Sequence, residues 1–201
     1  MLKFDEQKQL DSVNGALALR GQIESIVDDI CKKGYRNICW LGIGGTYASC
    51  LQAEIHMKER SGINFYVENA AEYLVTGNRK VGEGTVVIIS SVTGSTSEMV
   101  DGVRKAQEDG AVVIGFVDVA DTKLAKMVDH LISFPLNEQL KFFMTADRFM
   151  YNAGEFDEYN ELYSELEQHL AAALVEVEKS ADELVQKIEK KHMNDSIHYF
   201  V

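Results

Sequence analysis

Five hydroxyls surround one glycine in Ser90-Ser91-Val92-Thr93-Gly94-Ser95-Thr96, and a second turn, Gly42-Ile43-Gly44-Gly45-Thr46, lies about forty residues earlier. Each follows an apolar run of strand length, Asn37-Ile38-Cys39-Trp40-Leu41 and Thr85-Val86-Val87-Ile88-Ile89, and each opens onto a helical pattern. A turn between the carboxyl end of a buried parallel strand and the start of a helix gathers unpaired backbone N–H groups and the positive end of the helix dipole. That setting favours a dianion such as a phosphate. Hydroxyls add donors to it without adding charge.

Blander readings compete. Gly42-x-Gly44-Gly45 invites a dinucleotide site, but the third glycine of that fingerprint is missing, and neither Glu68 nor Glu72 is a clear match for its acid at the end of the next strand. The glycines could serve only a tight turn, and one hydroxyl of the second segment could serve only as a helix N-cap, with Glu98 as a dipole partner. One cap accounts for one hydroxyl, not five. Two such turns at one sheet edge favour the anion reading.

The elements that must hold these turns alternate. Apolar residues at helical spacing predict a helix over 5–33, stopped by Gly34, then a strand at 37–42, a helix over 46–61 and a strand at 64–67. A helix near 70–76, a strand at 85–89, a helix over 96–109, a strand at 111–117, a small helix at 122–128 and a strand at 130–134 follow; Pro135, the only proline, ends that strand. Alternation with apolar strands predicts an α/β fold, a three-layer αβα sandwich around a five-stranded parallel sheet, with ligands at the carboxyl ends of its strands. After a helix near 138–151, residues 157–191 form a long amphipathic pattern of Leu162, Leu166, Leu170, Leu174, Val177, Ala181, Leu184 and Ile188 with an acidic reverse face. Ser196 to Val201 reads as a new strand. The expected layout is an amino-terminal helical segment over 1–34, a sheet domain over 35–152, a long linker helix over 153–195 and the start of a second domain over 196–201.

At 201 residues with 46% apolar content, the chain suits one α/β domain with an appendage. It has 32 acidic against 20 basic residues, a formal charge of −12, and no basic cluster near the glycine turns, which excludes nucleic acid as a partner. No stretch is long and apolar enough to span a membrane, and the amino terminus lacks a signal-type core; a cytoplasmic location is expected. Cys31, Cys39 and Cys50 have no metal-ligand spacing and read as reduced packing residues. The histidines His56, His130, His169, His192 and His198 fall in helix or strand patterns, away from the glycine turns. No metal site is expected. The apolar stripe of the last helix needs cover, and a homodimer is the expectation.

Ser91-Val92-Thr93-Gly94-Ser95-Thr96 resembles the Ser-x-Ser/Thr-Gly-x-Thr phosphate loop of the sugar isomerase (SIS) domain family, Gly44-Gly45-Thr46 its Gly-x-Ser/Thr turn, and Asn69-Ala70-Ala71-Glu72-Tyr73 its small-small-Glu-aromatic segment. The resemblance covers residues 14 to about 150 and implies a flavodoxin-like sheet. It is closest in texture to the amino-terminal domain of double-domain members, fructosamine-6-phosphate deglycases and relatives of the isomerase half of glutamine-fructose-6-phosphate aminotransferase. It implies a sugar phosphate or ketosamine phosphate as ligand and proton transfer between C1 and C2 without metal or organic cofactor. Thr46, Ser91, Thr93 and Thr96 become side-chain ligands of the phosphate, with backbone from Gly44, Gly45, Val92 and Gly94 around it. Val92 stands where the synthases carry glutamine, which argues against glucosamine 6-phosphate synthesis. In double-domain members the resemblance places a catalytic glutamate and a histidine in the second domain; within this chain Glu72 is the candidate acid. The alternative is a sensor or interaction module that binds a sugar phosphate without turning it over.

Overall fold

Successive residues of a strand point to opposite faces of a sheet, so a strand covered on both sides must be apolar throughout. β1 (Asn37–Gly42) and β3 (Thr85–Ser91) are buried at every residue and apolar through their centres, with the polar Asn37, Thr85, Ser90 and Ser91 confined to their ends. In the computed structural model, which describes residues 5–192, they join β2 (Phe65–Asn69), β4 (Val112–Val117) and β5 (His130–Ile132) in one parallel sheet of order β2-β1-β3-β4-β5. The helices are α1 (Glu6–Leu17), α2 (Arg20–Lys33), α3 (Gly45–Arg60), α4 (Ala70–Thr76), α5 (Ser97–Glu108), α6 (Glu138–Asn152) and α7 (Tyr159–His192).

Two separate cores flank the sheet. Ile38, Trp40, Ile88, Ile114 and Phe116 pack against α2, α3 and α6, while Cys39, Leu41, Val87, Ile89 and Val113 pack against α4 and α5. Each large apolar side chain so buried contributes about 1.5–3 kcal/mol. The chain leaves β1 through α3 on one face and leaves β3 through α5 on the other, so the winding reverses between these neighbouring strands. The turns after β1 and β3 therefore diverge from a shared crevice at the carboxyl edge. A forked contact of Arg148 on Asp28, at 2.8 and 2.7 Å, ties α6 to α2 and holds the Asp28 carboxyl below the usual carboxylate range.

The structure departs from the sequence expectations in three places. The helix expected over 5–33 is two helices, because after Ala18 completes the ladder on Asn14 the chain tightens at Leu19, whose N–H reaches back only three residues to the Ala16 carbonyl at 3.1 Å. The segment 122–128 is a run of turns rather than a helix: the Leu124 N–H leaves the local ladder for the Gly94 carbonyl at 3.3 Å. The fifth strand stops at Ile132, short of Pro135. The long helix forms as expected, but only Tyr159 and Tyr163 are buried along it. Val177 and Leu184 are each 57% exposed, so the stripe beyond the first turns lacks cover among the described residues. The strand expected over 196–201 lies outside the described residues.

Candidate functional site

Gly42 ends β1 where the chain folds straight back over itself, and a Cβ there would stand 2.7 Å from the Tyr47 backbone. Only glycine fits. Gly44, at φ 58°, then caps α3. Thr46, in the first turn of α3, accepts the Ile43 N–H at 3.1 Å and donates to the Ile43 carbonyl at 3.0 Å. This closes the turn on itself and fixes the threonine at the rim.

The second turn is built from its own hydroxyls. Ser91, the last residue of β3, accepts the Gly94 N–H at 3.0 Å, and Thr93 accepts from the N–H and the hydroxyl of Ser95 at 3.4 and 3.1 Å. Both keep an O–H proton to donate. Gly94 sits at φ 62° under Thr122, whose hydroxyl would lie 2.1 Å from an added Cβ. Its N–H belongs to Ser91 and its carbonyl to Leu124, so its part is conformational. Thr96 is the N-cap of α5 but makes no side-chain cap bond, which leaves its hydroxyl free for the crevice. Glu98 lies half-buried in the first turn of α5, where its own N–H and the Ser97 hydroxyl hold its carboxyl below the usual range.

The two turns meet. Gly45 and Thr46 from the first, and Ser91, Val92, Thr93 and Thr96 from the second, line one cavity of about 260 Å³, with Ile43, Ser90 and Met99 completing it. No lysine or arginine lines it, and no carboxylate or imidazole either. Gly44 and Gly94 shape the turns without lining the cavity. Glu72 lies exposed in the first turn of α4, its N–H on the Asn69 side chain at 3.4 Å, and it lines neither this cavity nor its neighbour. That neighbour, of about 490 Å³, shares Gly45, Thr46 and Val92 and adds Ser49, Asp118, Glu138 and Lys141 among others. Sequence reading missed these four. A signal existed for two of them: Asp118 directly follows a strand at the carboxyl edge, and Lys141 interrupts an apolar helix face.

Among the described residues no histidine lines the crevice. His56 instead meets the buried Asp147, Nε2 donating to Oδ1 at 2.5 Å, and Tyr163 donates to the other carboxylate oxygen at 2.5 Å. Burial and the Asp147 charge push the Tyr163 phenol far above its ordinary range. Cys39 and Cys50 are buried free thiols, raised by burial. Among the described residues no group of three His, Cys, Asp or Glu side chains gathers as a metal site, and no helix is long and apolar enough to cross a membrane.

Residues 33–146 match the family model of the SIS domain. The chain belongs to the SIS domain family. Glutamine-fructose-6-phosphate aminotransferase (isomerizing) of Sulfurisphaera tokodaii is 27% identical to it over 110 residues, 55% of this chain and 18% of that protein. Among solved structures, a candidate phosphosugar isomerase of Bacillus subtilis superposes with a TM-score of 0.74 at 18% identity, over 88% of this chain and 58% of that one. A second, from Salmonella typhimurium LT2, gives 0.71 at 20% identity, over 85% and 56%. The carboxy-terminal domain of glucosamine-fructose-6-phosphate aminotransferase from Francisella tularensis gives 0.70 at 13% identity, over 93% and 58%. At these identities the structural likeness establishes the SIS fold. The SIS chain described here spans a little over half of those structures and under a fifth of the aminotransferase.

Proposed function

We propose that this SIS domain holds a phosphorylated sugar or ketosamine by its phosphate, as part of a phosphosugar isomerase or fructosamine-6-phosphate deglycase. The observation that carries the reading is the convergence of Thr46, Ser91, Thr93 and Thr96 on one cavity at the mouths of two helices. Dipole ends and the hydroxyl protons of Ser91, Thr93 and Thr96 can balance a dianion there without a basic side chain, with Thr46, whose own proton goes to the Ile43 carbonyl, fixing the rim. Thr93→Ala and Ser91→Ala are each expected to weaken fructose 6-phosphate binding by about 1–3 kcal/mol, the scale of a hydrogen bond to a charged group. Calorimetric titration checks this, and unchanged affinity in both variants refutes it.

Turnover needs a base that moves a proton between C1 and C2. Glu72 is the candidate acid of this domain, and a second domain would bring the glutamate and histidine implied by the family. The cavity lining favours a second reading, binding without turnover by this chain alone, because it holds no acid or imidazole. Solvent exchange of the C1 and C2 hydrogens of fructose 6-phosphate, followed by NMR, separates the two. Exchange by the chain alone excludes the second reading.

The uncovered stripe on α7 supports association as a homodimer. Sedimentation should then show a dimer that dissociates in Leu184→Glu; a concentration-independent monomer refutes it.

A further inference from the structure

The second cavity adjoins the phosphate notch across Gly45, Thr46 and Val92, so a ligand anchored in one reaches into the other. Its far wall is the connection from β5 to α6. There Leu136 and Asn137 stand in succession at φ 75° and 50°, a left-handed pair that asparagine tolerates and leucine disfavours. Lys141 clamps this turn: its backbone N–H reaches the Asn137 carbonyl at 3.2 Å and its ammonium donates to the Phe134 carbonyl at 2.7 Å. The same ammonium meets Asp118 Oδ1 at 3.3 Å, and the lysine side chain is 1% exposed. Asp118 is itself tied to the phosphate loop, its N–H on the Ser91 carbonyl at 3.1 Å, and its side chain keeps 13% exposure. Its Oδ2 has no hydrogen-bond partner among the described residues.

The charge balance of this cavity is informative. Lys141 is its only basic lining residue, and its charge is answered by Asp118 and the Phe134 carbonyl. Glu138 adds a second acid. A carboxylate or a further phosphate entering here would meet an unpaired acceptor oxygen and net negative charge. Hydroxyls or an ammonium would supply the donors that Asp118 lacks.

Building on the phosphate reading above, we propose that this cavity takes the donor-bearing end of a sugar monophosphate, with Asp118 as the specificity-determining acceptor that admits hydroxyl or amine groups and rejects anionic ends. The contact with Lys141 holds the Asp118 side chain in place, and the left-handed turn at Leu136 walls the far side of the cavity. The test titrates the chain calorimetrically with fructose 6-phosphate, glucosamine 6-phosphate, 6-phosphogluconate and inorganic phosphate. The unsubstituted chain is expected to bind the first two at least about tenfold more tightly than 6-phosphogluconate. Asp118→Asn should narrow that ratio about fivefold or more by tightening 6-phosphogluconate, with inorganic phosphate unchanged. If Asp118→Asn does not fold, Asp118→Asn with Lys141→Met removes the buried charge together with its partner, and the ratio is read there. Equal affinities in the unsubstituted chain, or an unaltered ratio in the folded variant, overturn the inference and leave the phosphate site standing. Failure of all four probes to bind overturns both.

Discussion

The hydroxyl crevice and the His56–Asp147–Tyr163 cluster are both polar, yet they are built on opposite plans. In the cluster, contributed by α3, α6 and α7, both carboxylate oxygens are occupied and Asp147 is 1% exposed. In the crevice, Ser91 and Thr93 accept bonds from their own turn and keep protons to give, and Thr96 makes no cap. The first is a closed circuit that fastens helices. The second leaves donors unspent at a fixed geometry. Polar residues alone do not mark a site; unmet capacity at a fixed geometry does.

Substitutions can set the two regions against each other. Asp147→Ala should cost about 3–5 kcal/mol of stability in urea denaturation, because it strands the partners of a buried carboxylate. Its folded fraction should bind fructose 6-phosphate normally; a stability loss under 1 kcal/mol, roughly a surface substitution, contradicts the closed-circuit reading.

Tyr163→Phe should cost about 1–2 kcal/mol at neutral pH. It should also change the alkaline limb of stability. Burial raises the folded phenol well above the ordinary tyrosine value of 10.0, so its contribution is complete below pH 10. Above that, the unfolded chain ionises first and the stabilisation drains away as pH climbs towards the folded value. Denaturation curves between pH 9 and 11 should fall less steeply in the variant, and parallel limbs would assign the loss to other tyrosines such as Tyr35, which is pushed up to about 12.

Smallest in stability are the crevice variants themselves. Thr93→Ala should shift unfolding by less than about 0.5 kcal/mol while losing ligand affinity, the reverse of Asp147→Ala. A large stability loss in Thr93→Ala would erase the distinction between the regions.

Much of this was legible in the sequence. β1 and β3 are covered on both faces, so their apolar runs announced them, and the glycines and hydroxyls of the turns act through local backbone chemistry that sequence reports directly. The break between α1 and α2 was hidden because Ala18 and Leu19 carry no helix breaker and the apolar spacing continues across them. Lys123 to Met127 contain good helix formers, but a tertiary hydrogen bond from Leu124 to Gly94 overrides them. Asp118 with Lys141, and His56 with Asp147, stand 23 and 91 residues apart, so their pairing exists only once the helices have docked.

The reversal of winding between β1 and β3 gives the crevice a mechanical meaning. Thr46 begins a helix seated on one core and Thr96 begins a helix seated on the other. An anion held by both would rivet the two layers of the sandwich at their common rim. Occupancy would then slow the opening of the whole sheet rather than of one loop, and amides at the centre of β1 and β3, far from any ligand atom, would report it by exchanging more slowly.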